Sequence, residues 1–557
     1  MKKIYKYLLM TVLATGTLFY SCETVELENL VDPNALNPTQ ADANNLLNNI
    51  QLAYIGAQAT FNNRSAELTR IDYMFGRDYF DNYGSGTMNG PWGSLYSSML
   101  PDIAVLEALN ADENIDLNFQ LGMAKTMQAH LMMQLVDFLG DIVWTEANNP
   151  SEYPSPMLDD DASVYTAALD VLASAAGNLS AADAVDPDSS DKPSSDITDL
   201  FHPEAGDEIT KWIKINNTIA MRANLTLGNY PAVLNATNVI SDADDDFAFS
   251  YSTNELQPDN RHPDYAADYT DSGANIYQSN WMMNLMDTSG DPRTRYYFYR
   301  QDPCTPGASC DPDGDGETLQ CSLQTPPPHY AGYTYCYLEN GYWGRDHGND
   351  EGTPPDNFTR TAVGVYPAGG RFDDDAFSNV GLGLGAGGAG IEPIYLSSYV
   401  DFMRAEAALA SSMPGTAASY LESGMTKSIA KVQSFGELDG SADLSYEPSA
   451  GAVASYISNV VANFNGGSSD DQWNILAEQY FTAIFGGSAD AYNFYRRTGY
   501  PDTVQPNLEP NPGVFPRTFL YPNSEVIANP NVLQRTDNAT QVFWDTKPAG
   551  PAFPPAN

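Results

Sequence analysis

The most regular feature of the chain is the recurrence of apolar residues every three or four positions, which is the spacing of amphipathic helices. Strand-like alternation of apolar and polar residues is scarce. The pattern therefore predicts a mainly α protein with helices over 46–54, 92–100, 119–138, 164–179, 210–227, 396–410, 417–435, 452–464 and 471–485. Pro101 is predicted to end or kink the second of these helices, because proline lacks a backbone N–H and its ring clashes with the preceding turn.

Successive amphipathic helices with short connections indicate stacked helix pairs of the tetratricopeptide type. No fixed-period repeat is visible, so the pairs are expected to be degenerate. Two stretches lack the helical spacing. Residues 183–208 are acidic and are expected to form an exposed loop. Residues 254–390 are rich in Gly, Pro, Asp and Tyr and predict an irregular, loop-rich layer over the helical scaffold, where binding sites are common.

The N-terminal sequence is typical of an export signal. Lysines precede an apolar run that begins near Leu8, and Cys22 follows Ser21 at its end. This pattern predicts a signal peptide over 1–21 and a lipid-accepting thiol at Cys22. The residues that follow predict a flexible tether over 22–42 and a single domain over 43–547. Tyr20 stands where lipoprotein signals usually have a small residue. The alternative is an ordinary signal peptide followed by a chance cysteine.

Charge and cysteine content narrow the class of protein. The formal net charge of -46 argues against nucleic acid as a partner, because phosphate recognition needs clustered Lys and Arg. Apart from Cys22, the cysteines fall in one short segment, at Cys304, Cys310, Cys321 and Cys336. An even, clustered set in an exported chain predicts two disulfides, for which three connectivities are open. A zinc site is the rival interpretation, but there is no CxxC pair.

The irregular segment also concentrates aromatic residues. Flat apolar rings with polar edges suit the C–H faces of sugars, which stack on such surfaces. The candidate ligand contacts are Trp281, Tyr296, Tyr297, Tyr299, Tyr333, Tyr342 and Trp343. The alternative is that these rings pack the irregular layer, which has few aliphatic residues of its own.

One acidic turn has the opening of a calcium loop. Asp311, Asp313 and Asp315 occupy positions one, three and five, and a glycine follows. Ser322 stands at position twelve, where an EF-hand needs a bidentate glutamate, so the motif is not a complete EF-hand. Calcium held by the three aspartates and by ligands from elsewhere is one interpretation, and a bare acidic turn is the other.

Catalytic signatures are missing from the sequence. The histidines form no HExxH motif, and there is no GxSxG nucleophile elbow. We therefore predict no catalytic residue, no enzyme activity and no required cofactor. A secreted glycoside hydrolase remains the alternative of another class, because a chain with 72 acidic residues can always supply a carboxylate pair.

Several segments match a known family in order along the chain. They are LVDFLGDIVWTEA at 135–147, KWIKINNTIAMRANL at 211–225, YVDFMRAEA at 399–407, EQYFTAIFG at 478–486, YNFYRRTGYP at 492–501 and FPRTFLYPNSE at 515–525. The chain resembles the SusD/RagB family, the nutrient-binding surface lipoproteins of Bacteroidetes. Leu139, Trp144 and Tyr480 depart from the family pattern, which indicates a divergent branch.

The resemblance implies a fold and a role. It implies one helical domain built on tetratricopeptide-like pairs, anchored to the outer membrane and facing the exterior. It also implies a SusC-like TonB-dependent transporter as partner and a captured nutrient as ligand. Together with the aromatic segment, this favours an oligosaccharide, with a peptide as the alternative.

Overall fold

The computed structural model describes residues 41–548 apart from 113, 186–196, 204–205, 306–320, 322–323 and 352–355. The predicted signal peptide, Cys22 and nearly all of the predicted tether lie outside these residues. From Ala43 onward the chain folds as one unit. In the part of the chain that the structure describes, no helix is both long enough and apolar enough to cross a membrane.

The predicted mainly α fold is confirmed. The longer helices are α1 (Ala43–Thr69), α4 (Leu100–Asn110), α5 (Asn118–Leu139), α6 (Asp161–Asp183), α7 (Glu208–Thr226), α10 (Asn280–Ser289), α12 (Ser397–Ala410), α13 (Pro414–Gln433), α14 (Ala450–Gly466), α15 (Ser469–Ala483) and α16 (Ala489–Thr498). Short helices complete the set: α2 (Tyr79–Asn82), α3 (Asn89–Gly93), α8 (Tyr230–Leu234), α9 (Pro263–Asp268), α11 (Thr294–Tyr297) and α17 (Asn523–Ala528).

The helices pack as pairs, most extensively α5 with α6 and α12 with α13, while α16 packs on α1. α5 is the central helix, and every residue from Phe119 to Leu139 except Lys125 is buried. The close packing of α5 on α6 depends on Gly122, because a Cβ there would lie 2.6 Å from Leu179 Cδ2.

A helix buried on all sides must pair its polar residues inside the core. Gln134 of α5 and Gln58 of α1 exchange amide hydrogen bonds of 2.6 and 2.9 Å. Tyr54 OH lies 2.6 Å from Nδ1 of His130 in the same way. These buried contacts fix the position of α1 against α5.

Pro101 does not end its helix. The residues before it, Ser94–Met99, form a π-helical segment, and α4 begins at Leu100 with Pro101 in its first turn. The wider π turn accommodates the proline, which needs no hydrogen bond in the first turn of the next helix. The helix predicted over 92–100 therefore does not stop at Pro101 but continues directly into α4.

Strands are short. β1 (Phe247–Ser250) pairs antiparallel with β4 (Ile391–Tyr395), and β2 (Phe298–Tyr299) pairs antiparallel with β3 (Ala362–Val363). Most of the predicted irregular layer between β1 and β4 is indeed without regular structure. The prediction that residues 254–390 lack helical spacing is wrong for α10. Ser279 caps this helix by accepting a hydrogen bond from the Met282 amide.

The family-like motifs hold the helices together. Arg222 of α7 forms buried ion pairs with Asp137 of α5 and Asp490 of α16. Arg497 of α16 binds both carboxylate oxygens of Glu406 at 2.9 Å. These arginines are therefore engaged in the scaffold rather than free to clamp a ligand carboxylate.

Candidate ligand-binding face

Most of the aromatic residues predicted as candidate ligand contacts lie in the protein core. Trp281, Tyr296, Tyr297, Tyr299, Tyr342 and Trp343 are buried. Their expected role as an exposed stacking surface is therefore wrong. The irregular layer has few aliphatic side chains, so its aromatic rings provide the apolar contacts that hold it to the scaffold.

The contacts of the buried rings show this packing role. Tyr297 stacks on Phe485 at 4.4 Å between ring centroids and donates a hydrogen bond of 2.9 Å to the Thr482 carbonyl. Tyr296 packs on Phe372 and donates to Glu447. Trp281 donates a hydrogen bond to the Thr503 carbonyl and Tyr299 donates one to the Ser378 carbonyl, while the Tyr342 ring lies under the Arg300 guanidinium. Trp343 Nε1 is buried and makes no hydrogen bond within the described residues.

Tyr333 is the nominated ring that stays half-buried, and it belongs to a loop closed by a disulfide. Cys321 and Cys336 are bonded, which confirms a disulfide in this segment, and Cys304 is also disulfide-bonded. The sulfurs of Cys321 and Cys336 are therefore not zinc-binding thiolates. Cys310 and the calcium candidates Asp311, Asp313 and Asp315 lie outside the described residues. We call residues 324–337, together with Cys321, the stapled loop.

Trp343 is the buried support of the stapled loop. Its ring packs with Cys321 and Cys336, and the half-buried Tyr335 and Tyr337 lie against this cluster. The stapled loop is thus built around a large apolar side chain, which explains why Trp343 is buried rather than exposed.

A buried aspartate, which accepts hydrogen bonds from the loop and from α10, fixes the end of the stapled loop. Asp346 accepts a 2.6 Å hydrogen bond from the Cys336 amide and a 3.0 Å hydrogen bond from Asn280. Burial raises the pKa of Asp346 to about 6, while hydrogen bonds from Asn280 and Cys336 oppose the rise. At neutral pH the carboxylate is therefore mostly charged and holds Cys336 in place.

The loop after α1 packs beside the stapled loop. Arg70 donates a 2.9 Å hydrogen bond to the Gln505 carbonyl, and the Gln505 side chain donates one of 2.9 Å to the Thr334 carbonyl. Backbone hydrogen bonds join the neighbouring segments: Gly348 to Met74, Leu508 to His347 and Tyr79 to Pro512. Residues 70–80, the stapled loop, residues 345–351 and residues 503–514 are thus tied together, and we call their surface the stapled face.

The stapled face carries several accessible aromatic rings. Phe75 is 61% exposed and Phe80 is 40% exposed. Tyr73, Tyr333, Tyr335 and Tyr337 are half-buried. The face also has a charged rim, where Arg77, two residues after Phe75, pairs with Asp350 and approaches Glu509 within 3.6 Å. Flat apolar rings bordered by polar groups can bind a ligand that has both apolar faces and hydrogen-bonding edges.

Sequence reasoning missed Tyr73, Phe75 and Phe80. They lie far from the aromatic segment in the chain, and only the fold brings them to the stapled loop. The available signal was the density of aromatics in residues 73–83, between two helical stretches, where apolar spacing gives no packing reason for them.

A partly enclosed cavity of about 90 Å³ adjoins the loop after α1. Its polar lining includes Asn62, Asp72, His262, Asp264, Gln278 and Glu392, and its described lining contains no Lys or Arg. We call it the acidic cavity. Burial, reinforced by the negative charge of Asp264, raises the pKa of Asp72 and of Glu392 to about 8 in each case. Burial lowers the pKa of His262, which keeps that ring neutral.

Among the described residues, one group of acids is close enough together to hold an ion: Asp141, Asp160 and Asp161. These carboxylates already serve the backbone. Asp160 caps α6, Asp141 accepts from the Asp161 amide and Asp161 accepts from the Phe543 amide. Each of these carboxylates therefore accepts a hydrogen bond from a backbone amide.

Comparison with known proteins places the chain in a family. A family model described as starch-binding and associating with the outer membrane matches residues 33–314, half of the chain. A second, described as SusD and RagB outer-membrane lipoprotein, matches residues 392–545. The chain belongs to the SusD/RagB family. The matched stretches contain α1, the paired helices and residues 70–80 of the stapled face, so the family assignment covers both the scaffold and part of the candidate site.

Solved structures of SusD/RagB proteins share the fold. A SusD/RagB family protein from Bacteroides thetaiotaomicron is 18% identical, with a TM-score of 0.62 over 91% of this chain and 99% of that chain. A SusD homologue from Bacteroides fragilis is 16% identical, with a TM-score of 0.59 over 91% and 99%. A chitin-binding SusD homologue from Flavobacterium johnsoniae is 16% identical, with a TM-score of 0.58 over 90% and 97%. No curated protein matches the chain.

Proposed function

We propose that this SusD/RagB-family protein is a non-catalytic outer-membrane lipoprotein that binds an oligosaccharide on the stapled face and passes it to a SusC-like TonB-dependent transporter. The family description and the export signal that ends at Cys22 support a lipid-anchored protein at the outer membrane. A protein that is anchored at the membrane, binds a ligand and lacks catalytic motifs is suited to pass that ligand to a transporter.

The observation that carries the proposal is the exposure of Phe75 on the stapled face, to which the half-buried tyrosines of the stapled loop also belong. Exposure of large aromatic rings to water is energetically unfavourable, and clusters of exposed rings commonly mark binding sites. Sugar rings present C–H faces to such surfaces and hydroxyls to the neighbouring polar groups. Two structurally similar proteins are described as chitin-binding, which supports a glycan as the ligand class.

Binding of this kind is expected to be modest in affinity. An open face buries only part of each sugar, and the ordering of the ligand offsets part of the gain. Modest affinity suits the proposed role, because a captured ligand must be released to the transporter.

Calorimetry against a panel of soluble oligosaccharides and peptides tests the proposal. Phe75→Ala and Tyr333→Ala should each raise the Kd about fivefold, since one aromatic contact contributes about 1 kcal/mol. The double variant should raise it more. Tyr446→Ala is the matched control, because Tyr446 is 43% exposed but lies outside the stapled face.

Three results would count against the proposal. Wild-type affinity in both Phe75→Ala and Tyr333→Ala would overturn the site. Binding of peptides but of no glycan would replace the ligand class. Release of shortened products from an oligosaccharide by the pure protein would show catalysis.

A further inference from the structure

A cleft of about 630 Å³ opens on the helical scaffold. Its walls are α4, α5, α6 and the turn at residues 144–148, and none of the described residues that line it belongs to the stapled face. Cavities of roughly 300–1,000 Å³ commonly hold small molecules, so this one has the size of a ligand site. We call it the scaffold cleft.

Much of the lining of the scaffold cleft is apolar and packs on the protein core. Leu100 and Ile103 of α4 are buried. Ala147 of the turn and Ala167 and Val171 of α6 are half-buried against the same core. A ligand gains most here if it has an apolar part that covers these side chains.

Trp144 brings a ring and an unpaired donor to the cleft. Its backbone is fixed, because Asp159 accepts a 2.8 Å hydrogen bond from the Trp144 amide and one of 3.0 Å from the Thr145 amide. The ring is half-buried and lines the cleft. Its Nε1 makes no hydrogen bond to any residue that the structure describes, and it is not sealed from solvent. An indole N–H only donates, so this position suits an acceptor atom of a ligand.

Gln128 of α5 supplies the complementary group. The side chain is 5% exposed and lines the cleft, so its small accessible part opens there. Its amide nitrogen donates a long hydrogen bond of 3.9 Å to the Met132 sulfur. The amide oxygen accepts none from the described residues and, like the indole nitrogen, is not sealed from solvent. A ligand that donates a hydrogen bond would satisfy it.

The exposed part of the lining is polar. Lys125 pairs with Glu107 at 2.7 Å and donates a 3.3 Å hydrogen bond to Ser174, so its charge is already offset. Asn148 and Asp170 are exposed and line the same cleft. These groups leave no excess positive charge for an anion, and they can exchange hydrogen bonds with the hydroxyls of an uncharged ligand.

We propose that the scaffold cleft binds the acetamido end of an uncharged N-acetylated sugar. The amide N–H of such a group donates to Gln128, and its carbonyl accepts from Trp144. The acetyl methyl group covers the apolar lining, and the sugar hydroxyls meet the polar part. A peptide offers the same amide but lacks these hydroxyls, and a plain hexose lacks the methyl group. The inference does not rest on the stapled face.

Titration followed by saturation-transfer NMR tests the cleft in the Phe75→Ala/Tyr333→Ala variant, where binding to the stapled face is weakened. The probes are N-acetylglucosamine, glucose, which lacks the acetamido group, and N-acetylalanine methylamide, which lacks the hydroxyls. N-acetylglucosamine should bind at least fivefold more tightly than either of the others. Trp144→Phe keeps a ring but removes the donor, and Gln128→Leu removes the acceptor. Each should raise the Kd about fivefold, the effect of one lost hydrogen bond.

Two further variants separate loss of the site from loss of the fold. Ala104→Leu adds bulk at an exposed position of α4 that lines the cleft, so it should fold normally and raise the Kd at least fivefold. Trp473→Phe is the matched control, because Trp473 is a half-buried tryptophan of α15 outside both the cleft and the stapled face. It should leave the Kd unchanged.

The inference is overturned if N-acetylglucosamine does not bind, if glucose binds as tightly, or if Trp144→Phe, Gln128→Leu and Ala104→Leu all bind like their parent. Tighter binding of N-acetylalanine methylamide would overturn the sugar and indicate a peptide instead. Failure of the stapled face alone would appear as equal oligosaccharide binding by the wild type and the Phe75→Ala/Tyr333→Ala variant.

Discussion

At the scale of single residues, the chain separates rings that pack from rings that are accessible. Tyr297 meets Phe485, and Trp343 meets the Cys321–Cys336 pair, so both are committed to the interior. Phe75 stacks on no ring among the residues that the structure describes, and it stays exposed. Residue type alone could not distinguish these cases, because the partners come from distant parts of the chain. Of the candidate ligand contacts, Tyr333 is the one that lies on the stapled loop, and its contact with a ligand stays a prediction.

The buried carboxyl of Glu392 leads to a pH prediction. Its pKa is about 8 in the folded protein and about 4.3 in an unfolded chain. Between these values the unfolded state loses the proton first, so the contribution of Glu392 to folding stability falls as pH rises from about 5 to 8 and levels off above 8. The slope for one such group is at most about 1.4 kcal/mol per pH unit.

Glu392→Gln should flatten this part of the stability profile, because an amide does not titrate. Chemical denaturation at pH 5, 6, 7 and 8 measures it, and Asp81→Asn serves as the control that should keep the wild-type slope. An identical slope in Glu392→Gln and the wild type would show that Glu392 ionises normally in the folded protein.

At the scale of elements, long apolar stripes were sufficient to predict the helices. The stripe of α5 is long, buried and without breaks, and the stripes of α12 and α13 are similar. α10 was missed because it has ten residues and lies among Gly-, Pro- and Asp-rich segments that obscure the spacing. β2 and β3 could not be predicted, because each has two residues and their pairing joins positions more than sixty apart.

The stapled loop is the element whose loss should affect binding more than folding. The Cys321–Cys336 bond spans a sequence separation of 15, and closing such a loop contributes about 3 kcal/mol in the chain-entropy account. Cys321→Ser/Cys336→Ser should make residues 324–337 more sensitive to limited proteolysis and should weaken oligosaccharide binding. The helical scaffold should keep its far-UV circular dichroism, because α5, α6, α12 and α13 do not depend on the loop.

Mass spectrometry of the proteolytic fragments measures this directly. Cleavage in the stapled loop at the wild-type rate, together with wild-type affinity, would show that the disulfide does not order the face. Loss of helical signal at 25 °C would instead show that the staple supports the whole fold.

At the scale of the whole molecule, a helical scaffold supports the stapled face, the proposed binding face, which is drawn from four distant segments. Arg70, Thr334, His347 and Gln505 come from different parts of the chain and are joined by the hydrogen bonds of the stapled face. The resemblance predicted the family and its fold, and the family comparison confirms both. The face itself could not be predicted, since it exists only after the helices bring those segments together.

We propose that sugar binds on the stapled face. The most direct measurement is a crystal structure of the wild-type protein with the tightest-binding oligosaccharide of the calorimetric panel. The account predicts sugar rings against Phe75 and Tyr333, with hydroxyls toward the rim formed by Arg77 and Asp350. An oligosaccharide bound on another surface, with Phe75 and Tyr333 free of contact, would contradict it.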